Sequence, residues 1–165
     1  VVTRPSPNIC LPFAWLPLVA CHSTKPEQAV LPAELRGQIE RLYQAFDFDA
    51  GGEADWKGLE QLFLEDSGIV NPFKSGAAAK IVSRAVFLQD FQAYVRSESV
   101  RGTGLHERIL AVNGACRGNI AHTWIDFEGF VPATGEGRSR GVDSIQWVLD
   151  SDRWRVASFT TFYSR

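Results

Sequence analysis

Cysteine is scarce in this chain: Cys10, Cys21 and Cys116 are the only three among 165 residues. Three thiols do not make a disulfide framework. No Cys-x-x-Cys spacing occurs, so no structural zinc site or other metal is expected. Charge of one sign is lacking too. Seventeen Lys and Arg face nineteen Asp and Glu, for a net charge of −2. The basic residues are scattered, which leaves no nucleic-acid footprint. The longest apolar run, Ile9 to Ala20, falls short of the roughly 20 residues of a membrane span. Glycine-rich phosphate loops, the serine nucleophile elbow and the His-Glu-x-x-His zinc motif are all missing. No cofactor is therefore expected, and no internal repeat is visible.

What remains is a chain with 45% hydrophobic residues, enough for one sizeable core. A single domain is expected, at roughly 100–200 residues per domain. Residues 34–165 carry it. Glu34 to Phe48 has apolar residues at helical spacing: Leu35, Ile39, Leu42, Tyr43 and Phe46. Asp55 is placed to cap a second helix with Trp56, Leu59, Leu62 and Phe63 on one stripe. A short strand follows at Gly68 to Asn71, then a loop over 73–81. Ser83 is placed to cap a third helix, whose buried stripe is Phe87, Leu88, Phe91, Tyr94 and Val95. Arg101 to Gly104 reads as a linker. Strands are expected at Glu107–Cys116, Asn119–Val131, Gly141–Leu149 and Trp154–Tyr163, with an exposed loop from Pro132 to Arg138. The last two strands form a hairpin around Asp150 to Arg153, rich in β-branched and aromatic residues. It is apolar on both alternations, so cover is expected on both faces. Helices first and strands after give an α+β order, with three helices on one face of an antiparallel sheet.

The first 30 residues differ from the rest. Arg4 precedes the apolar stretch Ile9 to Ala20, and Leu18-Val19-Ala20-Cys21 follows, then polar His22 to Glu27. That is the order of a leader, with its apolar region of about 7–15 residues and small residues at a cleavage point. Leu-Val-Ala-Cys resembles the lipobox of bacterial lipoproteins. On that resemblance residues 1–20 are a signal peptide and Cys21 takes the lipid. Residues 21–33 are then a tether, with Pro26 and Pro32 breaking regular structure. The expected location is the cell envelope, lipid-anchored through Cys21. If residues 1–20 are not a signal, the expectation is the cytoplasm.

The helical Trp56-x-x-Leu59-x-x-Leu62-Phe63 run, the Gly118 to Trp124 segment, the Arg140 to Gln146 segment and Trp154-Arg155-Val156 resemble the NTF2-like superfamily. Among its members the likeness is to small bacterial SnoaL-like proteins. The resemblance covers about residues 34–164. It implies a cone made of helices on a curved antiparallel sheet, and often a homodimer through the sheet. Three places depart from the subgroup pattern: Phe127 stands where Tyr is expected, Asp143 where Asn is expected, and Thr160-Thr161-Phe162-Tyr163 is unlike the usual ending. The superfamily includes steroid isomerases, scytalone dehydratase and polyketide cyclases, but shares a pocket more than a reaction.

The candidate site residues come from alternation. His122, Trp124, Asp126 and Glu128 share one face of a strand. Polar groups among aromatics suit a small-molecule pocket. His122 suits proton transfer near neutral pH, and Asp126 suits it if an apolar cone raises its pKa. About 13 Å of strand separates those two, so neither serves the other as a hydrogen-bonded partner. A turn at Arg117-Gly118 would set His122 opposite Asn113. A connection centred near Gly135 would set Trp124 near Gln146. Tyr94 and His106 are further pocket candidates, the resemblance implies that Asp47 and Asp49 border the mouth, and Glu128 is expected to be exposed. Trp56, Trp147 and Trp154 are expected in the core. Three functions fit: a binding domain for a small apolar ligand, a cofactor-independent isomerase, dehydratase or cyclase using His122 or Asp126, or a module whose sheet binds a protein.

Overall fold

The computed structural model describes residues 30–70, 79–130 and 139–164. The expected leader over residues 1–20 with Cys21, the larger part of the expected tether, residues 73–78 and the expected loop Pro132 to Arg138 lie outside the described residues. Two residues from the end of the expected tether belong to the fold: Leu31 is buried and Pro32 is the N-cap of the first helix.

Helix α1 (Ala33–Phe46) buries Leu35, Ile39, Leu42, Tyr43 and Phe46, the stripe its spacing predicts. Helix α2 (Trp56–Leu62) starts where Asp55 accepts the Gly58 N–H at 2.9 Å. It ends one residue before Phe63, which the periodicity placed on its stripe. Phe63 opens β1 (Phe63–Val70) instead. Arg84 helps the switch by donating to the freed carbonyls of Glu60 and Phe63. A three-residue β2 (Ile81–Ser83) pairs with β1, where the sequence suggests loop up to 81. Ser83 then caps α3 (Arg84–Val95), as expected. Its buried stripe is Phe87, Leu88, Phe91 and Val95 without Tyr94, which is 45% exposed. A one-turn helix, α4 (Glu98–Arg101), leads into the expected linker and overlaps it only at Arg101.

The four long strands are β3 (His106–Arg117), β4 (Ile120–Phe130), β5 (Ser139–Asp150) and β6 (Arg153–Ser164). The sheet has six strands in the order β2-β1-β6-β5-β4-β3 and does not close. It is mixed rather than antiparallel throughout: β1 runs parallel to β6. A parallel neighbour needs a long crossover, and the chain between β1 and β6 supplies it with α3 and the β3–β5 meander.

The sheet curves where its register slips. An extra residue sits at Leu110 in β3, opposite β4, and another at Ala157 in β6, opposite β5. Such bulges bend a strand and increase its twist. Both registers guessed from the sequence are shifted by two residues. The β3–β4 turn is Gly118-Asn119, so His122 faces Ala115 and Trp124 faces Asn113. Across β4 and β5, His122 faces Gln146 and Trp124 faces Ser144. A two-residue shift keeps every side chain on its face, which is why the alternation survives the error.

The helix-facing side of the sheet carries the core. Thr123, Ile125 and Phe127 of β4, Ile145 and Trp147 of β5, and Val156 of β6 are almost fully buried. Trp147 and Trp154 are core, as expected, and Trp56 packs partly buried against it. Phe46, Phe63, Phe87, Phe91 and Phe159 join in tilted and edge-on ring contacts that tie α1, α3, β1 and β6 together. Trp147 also needs a partner for its N–H and donates it to Thr123 Oγ1 at 2.9 Å.

Candidate binding site in the cone

The site is built from residues that six elements, α1, α3, β3, β4, β5 and β6, bring together. Asp143 occupies an inward position of β5, two residues before Ile145 and four before Trp147. Burial of a carboxylate demands partners. Asp143 has two: Tyr43 of α1 donates to its Oδ2 at 2.6 Å, and Thr161 of β6 donates to its Oδ1 at 2.7 Å. Only 3% of Asp143 is exposed. Burial pushes its carboxyl up to about 6, while the Tyr43 and Thr161 hydrogen bonds hold it down. Burial first, and the Asp143 charge second, push the Tyr43 phenol far above its ordinary value.

Glu107 of β3 enters the same space. Its backbone N–H donates to Asp47 Oδ1 at 2.8 Å, at the end of α1. Its side-chain carboxyl makes no hydrogen bond or ion pair among the described residues. Burial, then the charges on Asp143 and Asp47, push that carboxyl up to about 8. Tyr163 of β6 and Tyr94 of α3 complete the group. Burial raises both phenols, and Glu107 raises both further. Phe127 lies between Tyr43 and Tyr163, with ring centroids 6.2 and 6.0 Å away. Gly141 makes room for it, since a Cβ there would stand 2.6 Å from the Phe127 ring.

The other carboxylate oxygen of Asp47 accepts a hydrogen bond from His106 Nδ1 at 3.1 Å, and Nε2 of the same ring lies 3.4 Å from Asp49 Oδ1. This junction depends on a local backbone match. Phe48 and Leu105 exchange both of their N–H···O bonds at 2.9 Å. Gly104 permits this with a φ of +76°, in a space where a Cβ would strike the Phe48 carbonyl.

The structure therefore brings Tyr94, His106 and Asp47, all named from the sequence, close to Glu107. It does not bring His122, Trp124, Asp126 or Gln146 there. Their neighbours Thr123, Ile125 and Phe127 take the helix-facing side, so these four lie on the outer face. There His122 Nε2 and Ser144 Oγ share a hydrogen bond of 2.9 Å, and the His122 and Trp124 rings are 4.1 Å apart. Trp124 is 46% exposed and Gln146 is exposed beside His122. Glu128, expected to be exposed, is buried on this outer face. Arg108 and Arg140 cover it from the two flanking strands, at 2.7 and 3.4 Å.

Sequence reasoning passed over Glu107, Thr161 and Tyr163 as site residues, and it treated Tyr43 as helix stripe and Asp143 as a departure. One signal for Asp143 was available: it is an acid on the alternation shared by Ile145 and Trp147. Glu107 shares its face with Ile109, but the bulge at Leu110 breaks the alternation that would have shown it. Among the described residues, no group of three His, Cys, Asp or Glu side chains is placed to hold a metal ion.

No protein-family model matches the sequence. No curated protein matches it either. Solved structures do resemble the fold. An NTF2-like protein of unknown function from Silicibacter pomeroyi is 20% identical, with a TM-score of 0.54, over 80% of this chain and 94% of that one. An NTF2-like protein of unknown function from Pseudomonas putida is 12% identical, with a TM-score of 0.62, over 78% of this chain and 82% of that one. A candidate scytalone dehydratase from Novosphingobium aromaticivorans is 11% identical, with a TM-score of 0.59, over 80% of this chain and 83% of that one. At these identities the likeness concerns the fold, and the fold is the NTF2-like cone.

Proposed function

We propose that the cone binds a small, mostly apolar molecule bearing a hydrogen-bond-accepting oxygen, and that Glu107 donates to that oxygen. The observation that carries this reading is the Glu107 carboxyl, which has no partner among the described residues while Asp143 beside it has two. A carboxyl raised to about 8 is mostly protonated at neutral pH, and a protonated carboxyl is a donor. Phe127 and the rings of Tyr43, Tyr94 and Tyr163 offer the apolar body of a ligand a suitable lining. Perturbed titratable groups gathered in one place are typical of functional sites.

The test is a titration with a neutral aromatic ketone, acetophenone, followed by NMR shifts of the Tyr43, Tyr163 and Phe127 rings. Saturable binding that weakens as pH rises through about 8 supports the reading. Glu107→Gln, which keeps a donor, should bind the ketone without that pH dependence. Absence of saturable binding, or equal binding by Glu107→Leu, overturns it.

A second reading, a cofactor-independent isomerase, dehydratase or cyclase of SnoaL-like type, is favoured by the His106–Asp47 pair. Asp47 orients Nδ1 of this ring while Asp49 Oδ1 lies 3.4 Å from Nε2, and an imidazole held between carboxylates is suited to proton transfer. In this reading His106 is the group beside the cone, whereas His122 or Asp126 would have to act on the outer face. Turnover of a β-hydroxyketone lost in His106→Gln but kept in His122→Gln supports it, and no turnover by the wild type overturns it.

We also infer a homodimer through the outer face of the sheet, supported by the exposed Ile120, Trp124 and Phe162 side chains. A monomer in sedimentation at micromolar concentration overturns that. The Leu-Val-Ala-Cys run supports lipidation of Cys21 and a place in the cell envelope. Lipid labelling lost in Cys21→Ser is the expected result, and an unlabelled, soluble wild type overturns it.

A further inference from the structure

A second cleft, sharing no residue with the cone group, opens between α1, α2 and the start of β6. Its volume is about 260 Å³. Pockets for drug-sized ligands run from roughly 300 to 1,000 Å³, so this one suits a smaller molecule. Two apolar side chains line it, Leu62 and Trp154, each almost buried at 6% and 5% exposure. Its walls are polar. Arg41 of α1 and Arg153 at the start of β6 both line it, and neither guanidinium makes an ion pair among the described residues. Gln38 and Gln61 add carboxamides from the two helices. The single acid in the lining is Asp55, and its Oδ1 already accepts the Gly58 N–H. Two guanidinium groups thus meet one carboxylate that is engaged in capping a helix.

We propose that this cleft binds a small organic carboxylate with a flat apolar body. The carboxylate takes the Arg41 and Arg153 side, where a planar guanidinium matches a planar anion. The flat body covers Leu62 and Trp154. The carboxamides satisfy a further polar substituent. The chemistry is opposite to that of the cone, where carboxyls and phenols gather: an anion is repelled there and attracted here.

The experiment uses the full chain and benzoate as the probe, followed through the indole N–H resonance of Trp154. Saturable shifts at Trp154 and along α1 and α2 are expected. Benzamide, the neutral analogue, is expected to bind about tenfold or more weakly, as is benzoate to the Arg41→Gln/Arg153→Gln double variant. Both arginines are exposed, and unchanged urea unfolding of that variant separates lost binding from lost fold. Glu107→Gln should leave benzoate binding unaltered. The proposal is overturned by no saturable shift, by equal binding of benzamide, by full binding in the double variant, or by loss of binding in Glu107→Gln.

Discussion

Tyr43 and Asp143 stand 100 positions apart in the chain and 2.6 Å apart in space, oxygen to oxygen. The bond joins the helical layer to the middle of the sheet. It also explains how a carboxylate with 3% exposure is tolerated, because Thr161 takes the other oxygen. Tyr43→Phe deletes one donor and leaves the carboxylate half-satisfied. A loss of about 1–3 kcal/mol in stability is expected. Urea unfolding checks it. The Asp143 carboxyl, held down by that bond, should titrate above about 6 in the variant, as followed by carboxyl-carbon NMR.

Stability should fall as pH rises. Asp143 and Glu107 both have carboxyls raised by burial, so the folded state binds more protons than the unfolded chain. Their contribution is fully present below the ordinary carboxylate range. For Asp143 it is lost between 3.8 and about 6. For Glu107 the loss extends from 4.5 to about 8. Glu107→Gln cannot ionise and should remove the upper part of this slope. It is expected to be more stable than the wild type at pH 8.5 and similar at low pH. Unfolding curves at stepped pH decide; an unchanged slope in the variant would show that Glu107 is not its source.

Thr123→Val is the complementary test in the core. It keeps the shape and removes the acceptor of the Trp147 N–H, a buried donor with a 2.9 Å bond. An unsatisfied buried donor costs about 1–3 kcal/mol. The expected readout is a lower denaturation midpoint with the same denaturant slope.

On the outer face, Glu128 depends on two arginines of unequal closeness, 2.7 Å for Arg108 and 3.4 Å for Arg140. Arg108→Met should therefore cost more stability than Arg140→Met. Adding Glu128→Gln to Arg108→Met should recover part of the loss, because the buried charge is then gone. A double-mutant cycle by thermal unfolding measures the coupling.

Much of the cone was legible in the sequence because its signals are local. The α1 stripe, the Ser83 cap and the final hairpin each follow from spacing within one segment. The Phe63 boundary was not legible, because an apolar residue at the end of a helical stripe fits a strand start equally well. The partner of β1 was not legible either, since nothing local tells a strand whether its neighbour runs parallel. For the site, the alternation His122-Trp124-Asp126 was read correctly as one face. The side that face occupies depends on where the helices pack, a property of the tertiary structure. Tyr43, Glu107, Asp143 and Thr161 form a site only because four elements distant in sequence converge. Each of them alone resembles an ordinary helix or strand residue.

The parallel seam of β1 with β6 bears on how the protein is made. The β3–β6 meander joins strands in chain order, so it can zip locally as each strand is synthesised. The seam sets Phe63 beside Val156, at a large loop-closure cost, and α2 and α3 flank β1 in the chain. Helices α1–α3 therefore leave the ribosome before any strand of the meander, and β1 has only the three-residue β2 beside it until β6 arrives. A nascent chain arrested before Arg153 should stay protease-sensitive and bind chaperones, and release of the last strand should end both together.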